Sequence, residues 1–294
     1  MTVVELCGGA LLVGVDAEPT DELDVALTDR PSTDVRTVEV PDLDAALGCL
    51  RAATAAHPTA AATLAGLLRV TSSLPVREGL VAESLAYSML LASPDFAAWR
   101  AARPVRPVPP EPGPAVTLDR VGDLLTLTLS RPRRHNAFSR EVRDALVEAL
   151  TVAEYDTGVR VALRGAGRSF CSGGDLDEFG TAKDVAAAHL VRLQQSAGLR
   201  LHGLASRTTA YLHGDCIGAG IEVPAFAGRV VADPATRIQL PELSMGLVPG
   251  AGGTVSVPRR IGRWRTAWMV LTGCALDGPT ALSWGLLDGL EPLP

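Results

Sequence analysis

The sequence is poor in several residue types, and each scarcity excludes a class of protein. Lys183 is the only lysine, and the chain has no long basic run, so a nucleic-acid partner is not expected. The five cysteines form no CxxC pair, which is typical of reduced thiols rather than of a disulfide framework. No apolar run reaches membrane-spanning length, and the first residues lack the basic start of a signal peptide. We therefore expect a cytoplasmic protein with no membrane partner.

What is present is the composition of a globular protein with an aliphatic core. Apolar residues make up 47% of the 294 residues, charged residues 20% and aromatic residues only 4%, with a formal net charge of −6. This length fits one large domain or two modest ones. Residues 103–116 include the stretch "RPVRPVPPEPGP", whose prolines predict a stiff, extended linker. The chain is therefore expected to divide near residue 110.

The two parts differ in their hydrophobic patterns. Region 1–102 begins with short strand-like runs such as "ALLVGV" and "VRTVEV", and it continues with helical stretches from residue 42 onward. Within the last of these stretches, much of one face is formed by Leu80, Leu85, Met89 and Leu91, which favours a helix that packs on a core. After the linker, strands alternate with helices, as in a layered α/β fold. We predict an α/β core preceded by an additional N-terminal α+β region.

The stretch "CIGAGIEVP", residues 216–224, places one carboxylate just after a pair of glycines. If a helix begins at Ala219 or Gly220, Glu222 lies in its first turn, where the helix dipole stabilises a negative charge. Glycine also lets another molecule approach the main chain closely. On local evidence alone, Glu222 is interpreted as a helix-start carboxylate.

Four other stretches extend this pattern. They are "RPRRHNAFS" at 131–139, "GAGRSFCSGGDL" at 165–176, "LPELSMG" at 240–246 and "VPGAGGT" at 248–254. In this order and with these gaps, residues 117–290 resemble the crotonase superfamily of enoyl-CoA hydratases and isomerases. The resemblance implies a crotonase-like ββα spiral core over residues 117–294.

The resemblance also implies a catalytic site. Members of the superfamily bind an acyl-CoA thioester and stabilise its enolate with two main-chain N–H groups, which correspond here to Gly174 and Ala219. Alanine replaces the usual glycine at 219, so its methyl group could crowd the thioester. Hydratases use two glutamates as acid and base, matched here by Glu222 and Glu242, and the sequence leaves open which is which. Taken alone, Glu242 could be an ordinary loop carboxylate.

Coenzyme A enters this scheme as part of the substrate, and no permanent cofactor and no metal are expected. The implied substrate- and CoA-binding positions lie in the glycine-rich loops and beside the arginines of "RPRRHN". They are Arg133, Arg134, His135, Gly173, Asp175, Leu176 and Gly250. Arginines suit phosphates because of their forked donors, although arginines in turns are often only solvated. Asp175 is expected to fix its loop rather than to perform catalysis.

The sequence departs from the family at both ends. The core stops soon after "ALSWGLLDGLEPLP", where relatives continue with further helices, whereas extra residues precede it. We hypothesise that helices within residues 58–101 replace the family's C-terminal helices. The leading function is hydration of a 2-enoyl-CoA, or the reverse dehydration. The alternatives are another crotonase reaction (isomerase, thioester hydrolase, decarboxylase) or a silent subunit that binds acyl-CoA or a partner. By resemblance, a homo-oligomer, a trimer or a hexamer, is expected.

Overall fold

The computed structural model describes residues 2–104 and 111–292. Residues 105–110, the middle of the segment expected to be a linker, lie outside the described residues. The strands are β1 (Thr2–Leu6), β2 (Leu11–Val15), β3 (Val25–Thr28), β4 (Thr37–Glu39), β5 (Val116–Val121), β6 (Leu124–Leu129), β7 (Arg160–Gly165), β8 (Thr208–Leu212), β9 (Asp215–Ile217), β10 (Arg229–Ala232), β11 (Arg237–Gln239), β12 (Leu276–Asp277) and β13 (Gly289–Leu290). The helices are α1 (Leu43–Ala56), α2 (Pro58–Thr71), α3 (Val76–Leu91), α4 (Pro94–Ala102), α5 (Arg140–Tyr155), α6 (Val185–Gln194), α7 (Ala197–Gly203), α8 (Ala219–Glu222), α9 (Gly253–Thr272) and α10 (Gly278–Trp284).

The internal contacts of the chain define two units. The first contains residues 1–102, 240–250 and 254–275, and the second contains residues 103–239, 251–253 and 276–294. The first unit therefore combines the N-terminal region with residues 240–250, which carry the motif "LPELSMG", and with most of helix α9.

The first unit is built on a four-stranded sheet in the order β1-β2-β3-β4. Strand β1 runs antiparallel to β2, and the other neighbours are parallel, with Val13 opposite Val25 and Ala26 opposite Thr37. Helix α1 begins where the Asp42 side chain accepts a hydrogen bond from the main chain of Ala45, as an N-cap does. Helices α1 and α2 then pack on β3 and β2. The strands and helices expected from the patterns of this region are present.

Helix α3 packs in a different orientation from the one expected. Its buried face contains Leu80, Glu83 and Ser84, whereas the Leu85 and Met89 side chains are 55% and 53% exposed. The prediction that the latter two pack on the core is therefore wrong. Positions 80, 83 and 84 follow the three- and four-residue spacing of one helix face, and 85 and 89 lie on the next row. The helix ends before Pro94, which starts α4.

The second unit contains a six-stranded sheet in the order β13-β10-β8-β7-β6-β5 and a three-stranded sheet in the order β12-β11-β9. The large sheet is parallel except for the β5–β6 hairpin. The chain alternates between the two sheets: β8 leads to β9, and β10 leads to β11. After β7, Cys171 forms a parallel bridge to Cys216 in β9. This repeated succession agrees with the expected ββα spiral.

Helix α5 covers the β5–β6 hairpin. Its N-cap is Ser139, whose hydroxyl oxygen accepts a hydrogen bond from the main-chain N–H of Val142 at 3.2 Å. Val142, Leu146 and Leu150 recur at four-residue intervals and are fully buried. Over residues 2–104 and 111–292, none of the helices is both long enough and apolar enough to span a membrane.

Candidate active site

Two segments of the second unit approach each other closely enough to exclude side chains between them. The Cys171 carbonyl accepts a hydrogen bond from the Ile217 N–H at 3.0 Å. A Cβ atom added to Gly220 would lie 2.3 Å from the same carbonyl oxygen, and one added to Gly173 would lie 3.0 Å from the Ile217 carbonyl oxygen. Glycine at 220 is therefore a steric requirement. The motif loop at 171–174 and the motif turn at 216–220 lie side by side.

The turn that begins α8 depends on Gly218, whose φ of 50° and ψ of −120° other residues rarely adopt. Helix α8 starts at Ala219, so Glu222 lies in its first turn as expected. The helix is one turn long, and a 3₁₀ turn with Pro224 at its first position follows it. Proline has no N–H to donate, which suits it to this position. Because the helix is so short, its dipole contributes little, and the individual N–H groups matter more.

The main-chain N–H groups of Gly174 and Ala219 have no hydrogen-bond acceptor within the described part of the chain. The neighbouring main-chain groups are paired: the Phe138 N–H donates to the Gly173 carbonyl at 2.7 Å, and the Asp175 N–H donates to the Phe138 carbonyl at 3.4 Å. Ala219 is 5% exposed. Buried main-chain N–H groups without an acceptor are rare in proteins. Ala219 is such a donor, and the N–H of the half-buried Gly174 also lacks an acceptor. Two donors without acceptors on adjacent segments suit an oxygen that acquires negative charge.

The Glu222 side chain is buried and holds a loop of the second unit. Its Oε2 accepts hydrogen bonds from the main-chain N–H of Ala251 at 2.7 Å and of Gly253 at 2.9 Å. The residue is 3% exposed. Bonds of this kind to a carboxylate are stronger than those between neutral groups. The interpretation as a carboxylate that serves only its own helix is therefore incomplete, because the side chain reaches the 251–253 loop.

Glu242 lies in the first unit, at the start of a 3₁₀ turn, and is 6% exposed. This turn packs on α4, because a Cβ added to Gly246 would lie 2.8 Å from the Cβ of Asp95 and 3.2 Å from the main-chain nitrogen of Phe96. Buried glutamates are uncommon in proteins. Glu242 is therefore not an ordinary solvated loop carboxylate.

The arginines of "RPRRHN" differ in their surroundings. An Nη of Arg134 lies 2.9 Å from an Asp175 carboxylate oxygen and 3.9 Å from an Asp177 carboxylate oxygen. Asp175 is 5% exposed and also accepts from the Asp177 N–H at 3.1 Å. These bonds support the expectation that Asp175 fixes its loop. They also compensate the charge of Arg134, whereas Arg133 is exposed on the surface.

The other candidate binding residues shape loops. His135 has a left-handed backbone conformation with φ of 52°, and its Nδ1 lies 3.3 Å from the Ser169 hydroxyl. Gly173 is buried with φ of 96°, and Leu176 is half-buried. Gly250 belongs to the first unit, where it lies against an aromatic ring of α3.

Asn136 is a residue that the sequence interpretation did not single out. Its side chain is fully buried, and its Oδ1 accepts from the Arg131 N–H at 2.8 Å. Its Nδ2 donates to the carbonyls of Ala166, Ser169 and Phe170 at 2.8, 2.9 and 3.1 Å. It thereby joins two of the motif loops. The sequence feature that could have pointed to this residue is its rarity, because Asn136 is the only asparagine of the chain.

Neither thiol beside these loops is an activated nucleophile. Burial raises the pKa of Cys171 to about 12 and raises that of Cys216 well above its ordinary value. Both therefore stay protonated at neutral pH, and a protonated thiol is a poor nucleophile. Within the described residues, no group of three or more histidine, cysteine, aspartate or glutamate side chains is arranged to hold a metal ion.

Comparisons with known proteins bear on both the fold and the motifs. A family model described as "Enoyl-CoA hydratase/isomerase" matches residues 120–293. The 2,3-dehydroadipyl-CoA hydratase of Escherichia coli K12 is 35% identical over 170 residues, which cover 58% of this chain and 66% of that protein. The 1,2-epoxyphenylacetyl-CoA isomerase of the same organism is 34% identical over 170 residues, covering 56% and 64%. The crystal structure of an enoyl-CoA hydratase from Thermoplasma volcanium GSS1 superposes with a TM-score of 0.57 at 29% identity, covering 61% of this chain and 72% of that one. The chain thus spans just under two thirds of the length of the curated relatives it matches.

Proposed function

The chain belongs to the enoyl-CoA hydratase/isomerase family, the crotonase superfamily, and on that premise we propose that it hydrates a 2-enoyl-CoA to a 3-hydroxyacyl-CoA or catalyses the reverse dehydration. Enzymes of this family act on CoA thioesters, so coenzyme A arrives as part of the substrate. In the forward direction, the oxygen of water adds to the β-carbon and a proton adds to the α-carbon. Between these two events the thioester carbonyl oxygen carries the negative charge of an enolate.

The observation that carries the proposal is the pair of N–H groups at Gly174 and Ala219. They belong to segments that lie side by side, and no described residue accepts their hydrogen bonds. Donors fixed before the reaction stabilise a developing oxyanion without reorganisation, and each contributes roughly 3–4 kcal/mol. Alanine at 219 keeps the necessary N–H. The proposal therefore assigns the two groups to the thioester oxygen.

The proton transfers are assigned to Glu222 and Glu242. Hydration needs a base that takes a proton from water and an acid that delivers one to the α-carbon. Two carboxylates, one ionised and one protonated, can perform both steps and exchange roles in the reverse reaction. Both side chains are buried, as suits groups that act away from bulk solvent. The order of the two roles is left to kinetics.

Incubation with crotonyl-CoA tests the proposal, because hydration removes the absorbance of the conjugated thioester. Glutamine is the informative substitution at 222, since its amide oxygen can still accept from Ala251 and Gly253 while it cannot transfer protons. Glu222→Gln and Glu242→Gln are each expected to lower kcat by roughly 10²–10⁴-fold. Glu148→Gln, on the exposed side of α5, is the matched control and should retain full activity. Normal turnover in either active-site variant would refute the acid–base assignment.

Isomerisation of an enoyl-CoA is the second candidate, because the matching family is described as "Enoyl-CoA hydratase/isomerase". A double-bond shift moves one proton between two carbons, so a single carboxylate can serve. A 3-enoyl-CoA substrate separates the two activities, since only isomerisation would generate the conjugated absorbance. Persistence of that reaction in one glutamate variant, with loss in the other, would favour the isomerase. Binding of CoA thioesters without any turnover would instead indicate a silent subunit.

Three broader expectations belong to the same proposal. A homo-oligomer, trimer or hexamer, is expected by resemblance, and light scattering on the purified chain would measure it. A cytoplasmic location is expected because the cysteines read as reduced thiols, and subcellular fractionation would test it. Replacement of the family's C-terminal helices by residues 58–101 is tested by deleting the N-terminal region, which should abolish folding or acyl-CoA binding.

A further inference from the structure

A third buried glutamate, Glu83 on helix α3, lies outside the residues used above. It belongs to the N-terminal region, which precedes the family match, and it is 2% exposed. Its Oε2 accepts two hydrogen bonds from one residue of the first unit, from the main-chain N–H of Thr254 at 2.9 Å and from the Thr254 hydroxyl at 2.8 Å. A charged side chain is costly to bury unless it is bonded in this way.

Two residues of the N-terminal region, Glu83 and Thr71, form hydrogen bonds with Thr254. It is fully buried, and its carbonyl accepts from the Thr71 hydroxyl at 2.8 Å. It lies in the first turn of α9, where unpaired N–H groups favour a negative charge. Glu83 therefore acts as an N-cap supplied by another helix. One turn further along the chain, Arg259 donates to the Leu74 carbonyl before α3.

Helix α3 also contacts the residues that lie just before α9. Tyr87 lies one turn after Glu83 on α3, and a Cβ added to Gly250 would lie 2.5 Å from its ring. A larger residue at 250 would collide with this ring. Helix α3 thus fixes both Gly250 and Thr254, and α4 packs on the turn that carries Glu242. The segment with the second proposed acid–base group is therefore built on N-terminal helices within the first unit.

We propose that Glu83 is a positioning residue for the reaction: through its two bonds to Thr254 it helps the N-terminal helices hold Thr254 and the segment from Glu242 to Gly250 in place within the first unit. This inference rests on the proposed function, because it assigns Glu83 to a step that Glu242 performs. It goes beyond that function, because the family match does not include Glu83. A misplacement of about 1 Å in a proton-transfer group can lower the rate about 10²-fold, so loosening this anchor lowers kcat more than it raises KM.

The test compares three variants of the full chain in steady-state turnover of crotonyl-CoA and in amide hydrogen exchange. Glu83→Ala removes both bonds. Glu83→Gln keeps an amide oxygen that can accept both, and serves as the conservative rescue. Glu78→Gln changes an exposed glutamate on the same helix and is the matched control. Urea unfolding verifies that each variant is folded at the assay temperature.

We expect Glu83→Ala to lose about 10- to 100-fold in kcat with little change in KM, and Glu83→Gln to recover most of the loss. Exchange of the Thr254 amide should accelerate in Glu83→Ala and stay at the wild-type rate in Glu78→Gln. Wild-type kcat in Glu83→Ala, or unchanged protection of Thr254, overturns the inference. If Glu83→Ala does not fold, Thr254→Val replaces it, because valine loses the hydroxyl bond to Glu83 and keeps the main-chain N–H bond. Wild-type kcat together with wild-type amide exchange at residue 254 in Thr254→Val then overturns the inference. If the wild-type chain turns over no enoyl-CoA, the proposed function fails, while exchange at Thr254 still decides whether Glu83 anchors this segment.

Discussion

Replacement of Asn136 by alanine is expected to destabilise the second unit strongly, because four hydrogen bonds depend on one buried side chain. The Arg131 N–H, which now donates to Oδ1 at 2.8 Å, would be left buried without that acceptor, at a cost of about 1–3 kcal/mol. The three carbonyl partners of Nδ2 lose bonds with a net contribution of about 0.5–1.5 kcal/mol each, shared between two hydrogens. Alanine at φ of 53° adds roughly 1–2 kcal/mol of backbone strain. Together these contributions give an expected loss in the free energy of unfolding of about 3–8 kcal/mol.

Urea unfolding followed by circular dichroism measures this loss. Asn136→Gly shares the lost bonds but not the strain, so it should be more stable than Asn136→Ala by roughly 1 kcal/mol. Asn136→Asp keeps an acceptor for Arg131 but turns a second oxygen toward three carbonyls, and it should be at least as destabilising as alanine. A loss below about 1 kcal/mol for Asn136→Ala would show that the four bonds are replaceable, and it would refute this reasoning.

Three further outcomes follow from the burial and bonding of particular residues. Gly220→Ala should lower the free energy of unfolding by about 1–3 kcal/mol or more, because the new Cβ would lie 2.3 Å from the Cys171 carbonyl oxygen. Gly203→Ala is the control: Gly203 has open space around its Cα, so this variant should unfold at the wild-type urea concentration. A buried arginine lowers the pKa of Glu141 below its ordinary value of 4.5 by a hydrogen bond. The resulting stabilisation is complete above pH 4.5 and is lost as the pH falls through the lowered pKa. The difference in the free energy of unfolding between wild type and Glu141→Gln should therefore shrink in acid. Because Glu141 is exposed, this difference should stay below about 1 kcal/mol at any pH. A thiol reagent at neutral pH should modify the exposed Cys49 in the native protein and reach Cys171 only on unfolding, and rapid native labelling of Cys171 would contradict its burial and its pKa of about 12.

The candidate site was predicted through the resemblance of its motifs to a known family, and local requirements explain part of those motifs. A tight turn needs glycine at 218, and the close approach of two chains needs glycine at 220, so both positions are visible as residue types. The helix start at Ala219 follows from neighbouring residues in the same way. The alternation of strands and helices after the linker likewise predicted the layered fold, because the spacing of apolar residues indicates both the type of each element and which of its faces is buried.

Partners that are distant in the chain were decided only by the tertiary structure. The pattern of α3 could not show that Glu83, rather than Leu85, faces inward, because the choice depends on a partner 171 residues away, Thr254. The carboxylate of Glu222 likewise binds amides at 251 and 253 rather than those of its own helix. Sequence by itself determined which segments turn, cap and alternate, since these depend on neighbours within a few residues. Tertiary structure decided which buried charges are paired, because a buried carboxylate is stable only where the folded chain delivers its donors.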